Sequence, residues 1–359
     1  MAGLCNVAYG SVSVAIVTFN SSRYIRLCLE AVLAQRGAQQ GSQRAAPLEV
    51  VVVDNASTDD TPAILRSFKD QIRVIQSARN VGFAAGQNTA IEASPGSDWV
   101  LTLNPDVLLE PGFIQQLVDA GSADESVGAV CGKLLSIAAG FQPLPERRID
   151  SAGMYFTPNM RHFDRGWREL DQHRYDTPEY VFGASAAAAL YRREMLDDVS
   201  IGGQFFDPDF FVYREDADVA WRAQLLGWRC LYTPLAVGHH VRTVTPANRA
   251  SLPAYVNMHS VKNRFLMRIK NTTPSLYRRY WVPMTIRDLV VMGGAVFWEP
   301  KSLPAFWRVA RCLPRALHQR RQIMARRRVT DEELIELFQA PAPGAVAPTA
   351  AEESYVYPS

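Results

Sequence analysis

The chain has 359 residues, 48% of them hydrophobic and 21% charged, which excludes a disordered or fibrous polymer and suffices for one large core or two modest ones. A net charge of +2 conceals an asymmetry: residues 1–261 carry 22 Lys/Arg against 28 Asp/Glu, residues 262–330 carry 16 against 2, and the remainder carries only acids. Five scattered cysteines (Cys5, Cys28, Cys131, Cys230, Cys312) form no CxxC pair, and no apolar run is long enough to span a bilayer, the nearest, Trp281–Trp298, being broken by Arg287 and Asp288. With no signal-peptide pattern either, a soluble or peripheral protein of a reducing compartment is expected.

Three β-branched runs come early, Val12–Thr18, Leu48–Asp54 and Ile72–Gln76, and a fourth follows at Trp99–Leu103. The first two are apolar almost throughout, as in strands covered on both faces of a parallel sheet. Between them, Ser22–Gln35 sets Ile25, Leu29 and Leu33 at helical spacing. Gly37–Pro47 is small and polar and reads as a loop. Asp60-Thr61-Pro62 reads as a helix start, with a capping aspartate before a proline in the first turn. This alternation predicts a doubly wound α/β half over residues 10–135. Short strands and loops follow from Ile149 to Tyr232, with one helix near Glu215–Leu226, in a second half spanning 136–270. A basic helical region runs from about Ala254 to Arg328, within an extension over 271–335. The Ala/Pro-rich stretch 340–359 is expected to be disordered.

In an open α/β sheet, ligands bind beyond the carboxyl ends of the strands. The second strand ends in Asp54-Asn55-Ala56-Ser57-Thr58-Asp59, where a carboxylate suits the imide N–H of uracil or thymine; an Asx turn before a helix cap explains the same letters. The loop Arg79–Asn88 has two glycines that let backbone approach a ligand, without GxGxxG spacing. The fourth strand ends in Asn104-Pro105-Asp106. Breaking a bond to diphosphate calls for a divalent cation, and hard cations take carboxylate oxygen, so Asp106 is the candidate in this half. Glu215, Asp216 and Asp218 open a helix after an aromatic run, where apolar walls raise a carboxyl toward the range of a general base. Against that, acids at a helix start gain from its dipole, and Asp218 with Arg222 makes an ordinary surface i,i+4 pair. His239 and His240 end an apolar stretch; in a strand only one of them reaches a given face.

In this order the segments resemble family 2 glycosyltransferases, particularly the bacterial rhamnosyltransferase-like branch. The matching pieces are Val14–Asn20, Asp54–Asp59, Asn80-Val81-Gly82-Phe83, Asn104-Pro105-Asp106, Glu215-Asp216-Ala217-Asp218 and the histidine pair, covering about residues 12–270. The resemblance implies a GT-A fold: a central, mostly parallel twisted sheet flanked by helices, here with a C-terminal helical extension. It implies transfer of a sugar with inversion, the nucleotide lying across the first half. Thr18 and Asn20 would border the nucleotide, Asp54 and Asn55 would bind base and ribose, and Ser57 and Asp59 would support that loop. Asn80, Gly82, Asn88 and Asn104 would lie along the nucleotide-sugar. Asp106 would take the last place of the family's DxD element and bind Mg²⁺ or Mn²⁺ with His240, or His239; Asn104 replaces the element's first acid. Asp216 would be the base, with Glu215 and Asp218 as rivals. Gly183, Ala184 and Ser185 would form the loop under sugar and acceptor, beside Trp221 and Arg222.

The donor implied is dTDP-L-rhamnose, with a UDP-sugar as second choice, and the acceptor a saccharide on polyprenyl diphosphate. Lys301–Arg328 holds nine Lys/Arg, no acid and several apolar residues. It suits an interfacial helix on anionic lipid, interrupted by Pro304 and Pro314, as well as a solvated helix packed on the body. With Lys262 and Arg264 it is expected to dock a cytoplasmic enzyme on the inner face of the cell membrane. Two rivals fit less of the sequence. A sugar nucleotidylyltransferase would need a glycine-rich basic signature near Ser13–Ser22, and a nucleic-acid binder would need a recognisable motif beside the arginines.

Overall fold

The computed structural model describes residues 10–38, 47–242 and 254–339. The first half runs β1 (Val12–Thr18), α1 (Ile25–Ala38), β2 (Leu48–Asp54), α2 (Thr61–Ser67), β3 (Arg73–Gln76), α3 (Phe83–Glu92), β4 (Trp99–Leu103), β5 (Val107–Leu109), α4 (Phe113–Ser122) and β6 (Val127–Ser136). Then come β7 (Ile149–Ser151), β8 (Met154–Phe156), β9 (His162–Asp164), β10 (Glu179–Val181), β11 (Ala188–Arg192), α5 (Arg193–Val199), α6 (Glu215–Leu225) and β12 (Arg229–His240). The described residues end in four α-helices, α7 (Ala254–Asn271), α8 (Pro274–Phe297), α9 (Pro304–Arg326) and α10 (Asp331–Gln339).

One sheet of order β10-β12-β6-β11-β4-β1-β2-β3 carries the site, with β5 added to β12 and β7 to β6. From β3 to β4 the neighbours are parallel; β11 then runs antiparallel between β4 and β6, and β12 is parallel to β6. Alternation sorts the side chains into two cores. Val14, Ile16, Val50 and Val52 pack against Ile25, Leu29 and Leu65 of α1 and α2. Ala15, Val17, Val51 and Val53 face the side of Ala84 and Ala90 of α3 and Trp221 of α6. Register aligns the strand ends, Thr18 opposite Asp54 and Asp54 opposite Gln76, so loops following β1, β2 and β3 emerge at one edge.

Several local expectations change. Helix α1 continues through Gly37 and Ala38, so the expected loop begins later; residues 39–46 lie outside the described residues, as does 340–359. Asp60 makes no capping hydrogen bond. Asp59 does so instead, accepting from Thr61 N–H at 3.0 Å and Ser22 N–H at 3.0 Å. Pro304 opens α9 and Pro314 lies within it, so neither interrupts the helix; a first-turn proline lacks only an N–H that has no intrahelical partner.

The C-terminal helices belong to the body. Phe338 of α10 is fully buried and its ring meets Phe156, Phe182 and Trp221. Arg315, Arg326 and Arg328 of the basic segment pair with Asp207 and Asp209 or with Asp198. Lys262 and Arg264 are buried, contrary to the docking role expected of them. Lys262 donates to the Asp209 carbonyl, and Arg264 donates to the Asn159 carbonyl and pairs with Asp288.

Candidate active site

The β1 and β2 ends build a cradle. Asn20 adopts a left-handed conformation (φ 50°), which asparagine tolerates. Its Oδ1 accepts from Thr58 N–H at 2.8 Å, and its N–H donates to Ser57 Oγ at 2.9 Å. Asp54 is buried; it accepts from Gln76 Nε2 at 2.8 Å and Ser57 N–H at 3.2 Å. Burial works against the Asp59 charge, but hydrogen bonds from Thr61 and Ser22 prevail and hold its carboxyl down at about 2. The Thr18 hydroxyl is buried with no hydrogen-bond partner.

Two predicted ligand residues have other work here. Asn55 ties down the next loop, donating to the Gly82 carbonyl at 3.0 Å and accepting from Val81 N–H at 3.2 Å. Asn88 is buried; it donates to Gln204 Oε1 and the Phe206 carbonyl at 2.7 Å each and accepts from Phe206 N–H. It joins α3 to the loop leading to α6. Asn80 Oδ1 accepts from Gly82 N–H at 2.9 Å. Gly82, at φ +87°, lies so close to Phe211 that a Cβ would fall 2.6 Å from its carbonyl oxygen.

At the end of β4, Asn104 and Asp106 are partly buried. Val241 N–H donates to the Asp106 carbonyl at 3.0 Å, which brings the end of β12 over Asp106. Alternation then sends the histidines apart. His239 Nε2 meets Glu110 at 2.9 Å, whereas His240 Nε2 lies 3.6 Å from Asp106 Oδ1 and its Nδ1 2.7 Å from Asp150 Oδ2. Burial disfavours a charged His240 ring, but Asp150 and Asp106 push it up to about 10. Burial likewise opposes the Asp150 charge, yet His240 and Arg242 hold its carboxyl well below the usual range. Among the described residues no three His, Cys, Asp or Glu side chains gather as a cation cage. The Asp106–His240 pair nevertheless fits a divalent cation. One carboxylate oxygen and one imidazole nitrogen lie 3.6 Å apart and the second ring nitrogen is fixed by Asp150, so these two residues would hold the metal.

From there a chain of contacts leads to α6. Arg242 spans Asp150 (2.7 Å) and Asp164 (2.6 Å), and the charge of Asp164 reaches Asp216. Asp216 accepts from Ala186 N–H at 3.3 Å and Ala217 N–H at 2.7 Å. Burial first, then Asp164, push its carboxyl up to about 6, close to the optimum for a base at neutral pH. Glu215 is buried deeper, with one carboxylate oxygen lacking a partner; burial and Asp216 hold it well above the glutamate range. Gly183 lies against Ala220 of α6, with space for no side chain: a Cβ would come within 2.3 Å. The Gly183–Ser185 loop is thereby held beneath the start of α6.

Asp218 is held apart from these groups, in the interior. It is fully buried, accepting from Arg222 Nε at 3.0 Å, Lys270 Nζ at 2.9 Å and Asn271 Nδ2 at 2.8 Å. Its partner Arg222, expected at the surface, also donates to the Phe205 carbonyl at 2.6 Å. Trp221 is buried among Phe156 and Phe338. All three support α6 from behind, Trp221 as helix packing. Ahead of the helix, Phe211, Tyr213 and Arg214 have φ of 64°, 68° and 69°, each a costly conformation for a residue with a Cβ. Asn263 of α7 holds this turn, its Nδ2 donating to the carbonyls of Phe210, Val212 and Tyr213 at 2.7–2.9 Å. The sequence marked none of Asp150, Asp164, Arg242 or Asn263. The one available signal was an arginine two residues after the histidines.

The mostly parallel central sheet flanked by helices is that of the GT-A fold. Residues 13–200, just over half the chain, match Glycosyl transferase family 2, and the chain belongs to that family, in its rhamnosyltransferase-like branch. It is 32% identical over 222 residues to the N-acetylglucosaminyl-diphospho-decaprenol L-rhamnosyltransferase of Mycobacterium tuberculosis (strain CDC 1551 / Oshkosh), covering 57% of this chain and 70% of that protein. It is 26% identical over 261 residues to the O-antigen chain rhamnosyltransferase WbaN of Salmonella anatum, covering 72% and 76%. Among solved structures, the mannosyltransferase PcManGT from Pyrobaculum calidifontis in complex with GDP-Man and Mn²⁺ aligns with TM-score 0.50 at 19% identity, over 88% of this chain and 86% of that one. GalNAc-T7 with UDP, GalNAc and Mn²⁺ aligns with TM-score 0.54 at 12% identity, over 73% of this chain and 48% of that one, about half its length.

Proposed function

We propose that this glycosyltransferase moves L-rhamnose, with inversion, from dTDP-rhamnose to a saccharide carried on polyprenyl diphosphate, in cell-surface polysaccharide synthesis at the inner face of the membrane. The observation that carries the chemistry is the chain Asp106–His240–Asp150–Arg242–Asp164, which leads to Asp216 and so links a cation-ready pair to a raised carboxyl. Asp54 keeps lone pairs beyond those used by Gln76 and Ser57 and accepts the imide N–H of thymine; uracil has the same edge, so UDP-sugars are the second donor class. Asp106 and His240 hold Mg²⁺ or Mn²⁺, which when bound absorbs charge on the departing diphosphate. Asp216, aimed by two backbone N–H groups, takes the proton of the acceptor hydroxyl as that oxygen attacks the anomeric carbon. Direct displacement needs no covalent intermediate. The lipid-linked acceptor and the rhamnosyl group follow the named activities of the two relatives.

The test is a thermal-shift panel of dTDP- and UDP-sugars with and without Mn²⁺, since a ligand of the native state raises its melting temperature. A shift with dTDP-rhamnose that requires Mn²⁺ and is lost in Asp106→Ala supports the assignment. Stabilisation by UDP-sugars alone replaces the donor, and no shift with any nucleotide-sugar removes the reading.

A further inference from the structure

Helix α8 is apolar on both of its faces, burying Leu276, Met284 and Val291 on the inner one. Its charged pair faces the protein: Asp288 meets Arg264 at 3.4 Å and also pairs with Arg268, and Arg287 and Asp288 are both partly buried. A second set of large apolar residues faces solvent, with Trp281 53%, Ile286 58%, Leu289 63% and Phe297 76% exposed. The spacing of Trp281, Leu289 and Phe297, and of Val282, Ile286 and Val290, is helical and defines one continuous stripe. Trp298 and Trp307, just beyond, are exposed as well. An apolar patch of this extent on a folded chain marks an interaction surface.

Charge identifies the occupant. The stripe is bordered by exposed Arg278 and Arg279 at one end and by exposed Lys301, Arg308 and Arg311 at the other. Residues 262–330 contain only two acids. Asp288 is paired inward, and Glu299 accepts from Asn257 at 3.0 Å. A second copy docking by two-fold symmetry would set these cations against themselves, and nucleic acid, which could stack bases on the tryptophans, offers no partner for Ile286, Leu289 and Val290. An anionic bilayer satisfies both features, with apolar side chains entering the acyl boundary and arginines meeting headgroup phosphates. No helix among the described residues is long and apolar enough to cross a membrane.

We propose that α8, with the start of α9, lies in the plane of an anionic membrane and inserts its outward apolar stripe into the lipid. The inference deepens the proposed function, resting on its lipid-linked acceptor for purpose. Binding to lipid is nevertheless read separately from transfer.

The experiment is flotation of the full chain with vesicles of phosphatidylcholine, alone or mixed equally with phosphatidylglycerol, at low and high salt. The chain is expected to float with the mixed vesicles and only weakly with neutral ones. Ile286→Glu/Leu289→Glu should lower bound protein by about tenfold or more, with unchanged melting temperature and an unchanged donor-induced shift. Arg308→Glu/Arg311→Glu should erase the preference for the anionic vesicles. The proposal is overturned by a wild-type chain that stays at the bottom of the gradient, or by an Ile286→Glu/Leu289→Glu variant that floats like wild type. It also falls if sedimentation shows a dimer that the same pair of substitutions dissociates without changing flotation. A lost donor shift in the wild-type chain would instead count against the proposed function.

Discussion

Asp216→Asn should make the protein more stable and nearly inactive. Burial and the negative Asp164 set the Asp216 carboxyl at about 6, whereas an unfolded aspartate ionises near 3.9. Above pH 6 the native fold therefore holds a charge that water holds more easily. That difference is at most about 3 kcal/mol, and nearer 2 because the side chain is partly open to solvent. The sign follows from protonation. The fold favours the neutral acid, so this group's contribution is full below about pH 4 and is lost as pH rises through about 6. Asparagine never ionises, so the variant should melt a few degrees higher at pH 7.5, with the gap closing by pH 4. Turnover should move the other way, kcat falling about 10²–10⁴-fold while the donor-induced thermal shift persists. In the unsubstituted enzyme kcat/KM should climb about tenfold per pH unit below 6 and level off above. Scanning calorimetry and initial rates across this range check both. Equal melting temperatures at pH 7.5, or a rate that stays flat down to pH 5, refutes the assignment of base and environment together.

Asp164→Asn should move that acid limb downward by up to about one pH unit, because a negative neighbour is removed and the Arg242 charge is released; an unmoved limb disconnects Asp164 from the base. His240→Ala should abolish the Mn²⁺-dependent part of the donor shift and leave the melting temperature of the free protein within a few degrees; a retained Mn²⁺ response excludes the ring as a ligand. Lys270→Met strands Asp207 and Asp218, which lie 2.7 and 2.9 Å from its ammonium, and should cost about 3–5 kcal/mol in urea unfolding. Gly183→Ala should cost about 1–3 kcal/mol or displace the loop and lower kcat, since its methyl would meet Ala220 at 2.3 Å; a neutral result in both measurements would show that α6 yields there.

The parallel half was legible because its strands announce themselves. Val12–Thr18, Leu48–Asp54 and Trp99–Leu103 match the observed elements end for end, each buried on both faces and therefore apolar without alternation. The second half resisted because β7, β8, β9 and β10 are three residues long, too short for any period to register. Asp150 and Asp164 come from two of these strands, and only long-range pairing brings them to Arg242. Spacing also could not separate Asp216 from Asp218. Both begin α6, but Lys270 and Asn271, over fifty residues later, turn one into scaffold. Nor could spacing show that Asn55 and Asn88 each tie two segments together, because an amide that serves a ligand and one that joins two loops are spelled identically.

The position of Phe338 has a practical corollary for anyone trimming the chain. Its ring wedges behind Trp221 on the far side of the helix that presents Asp216. A shortened chain ending before Asp331 would leave a void there, and the carboxylate proposed as the base would lose that support. Activity lost on such a truncation would report a collapsed backstop, leaving open whether membrane contact was ever needed.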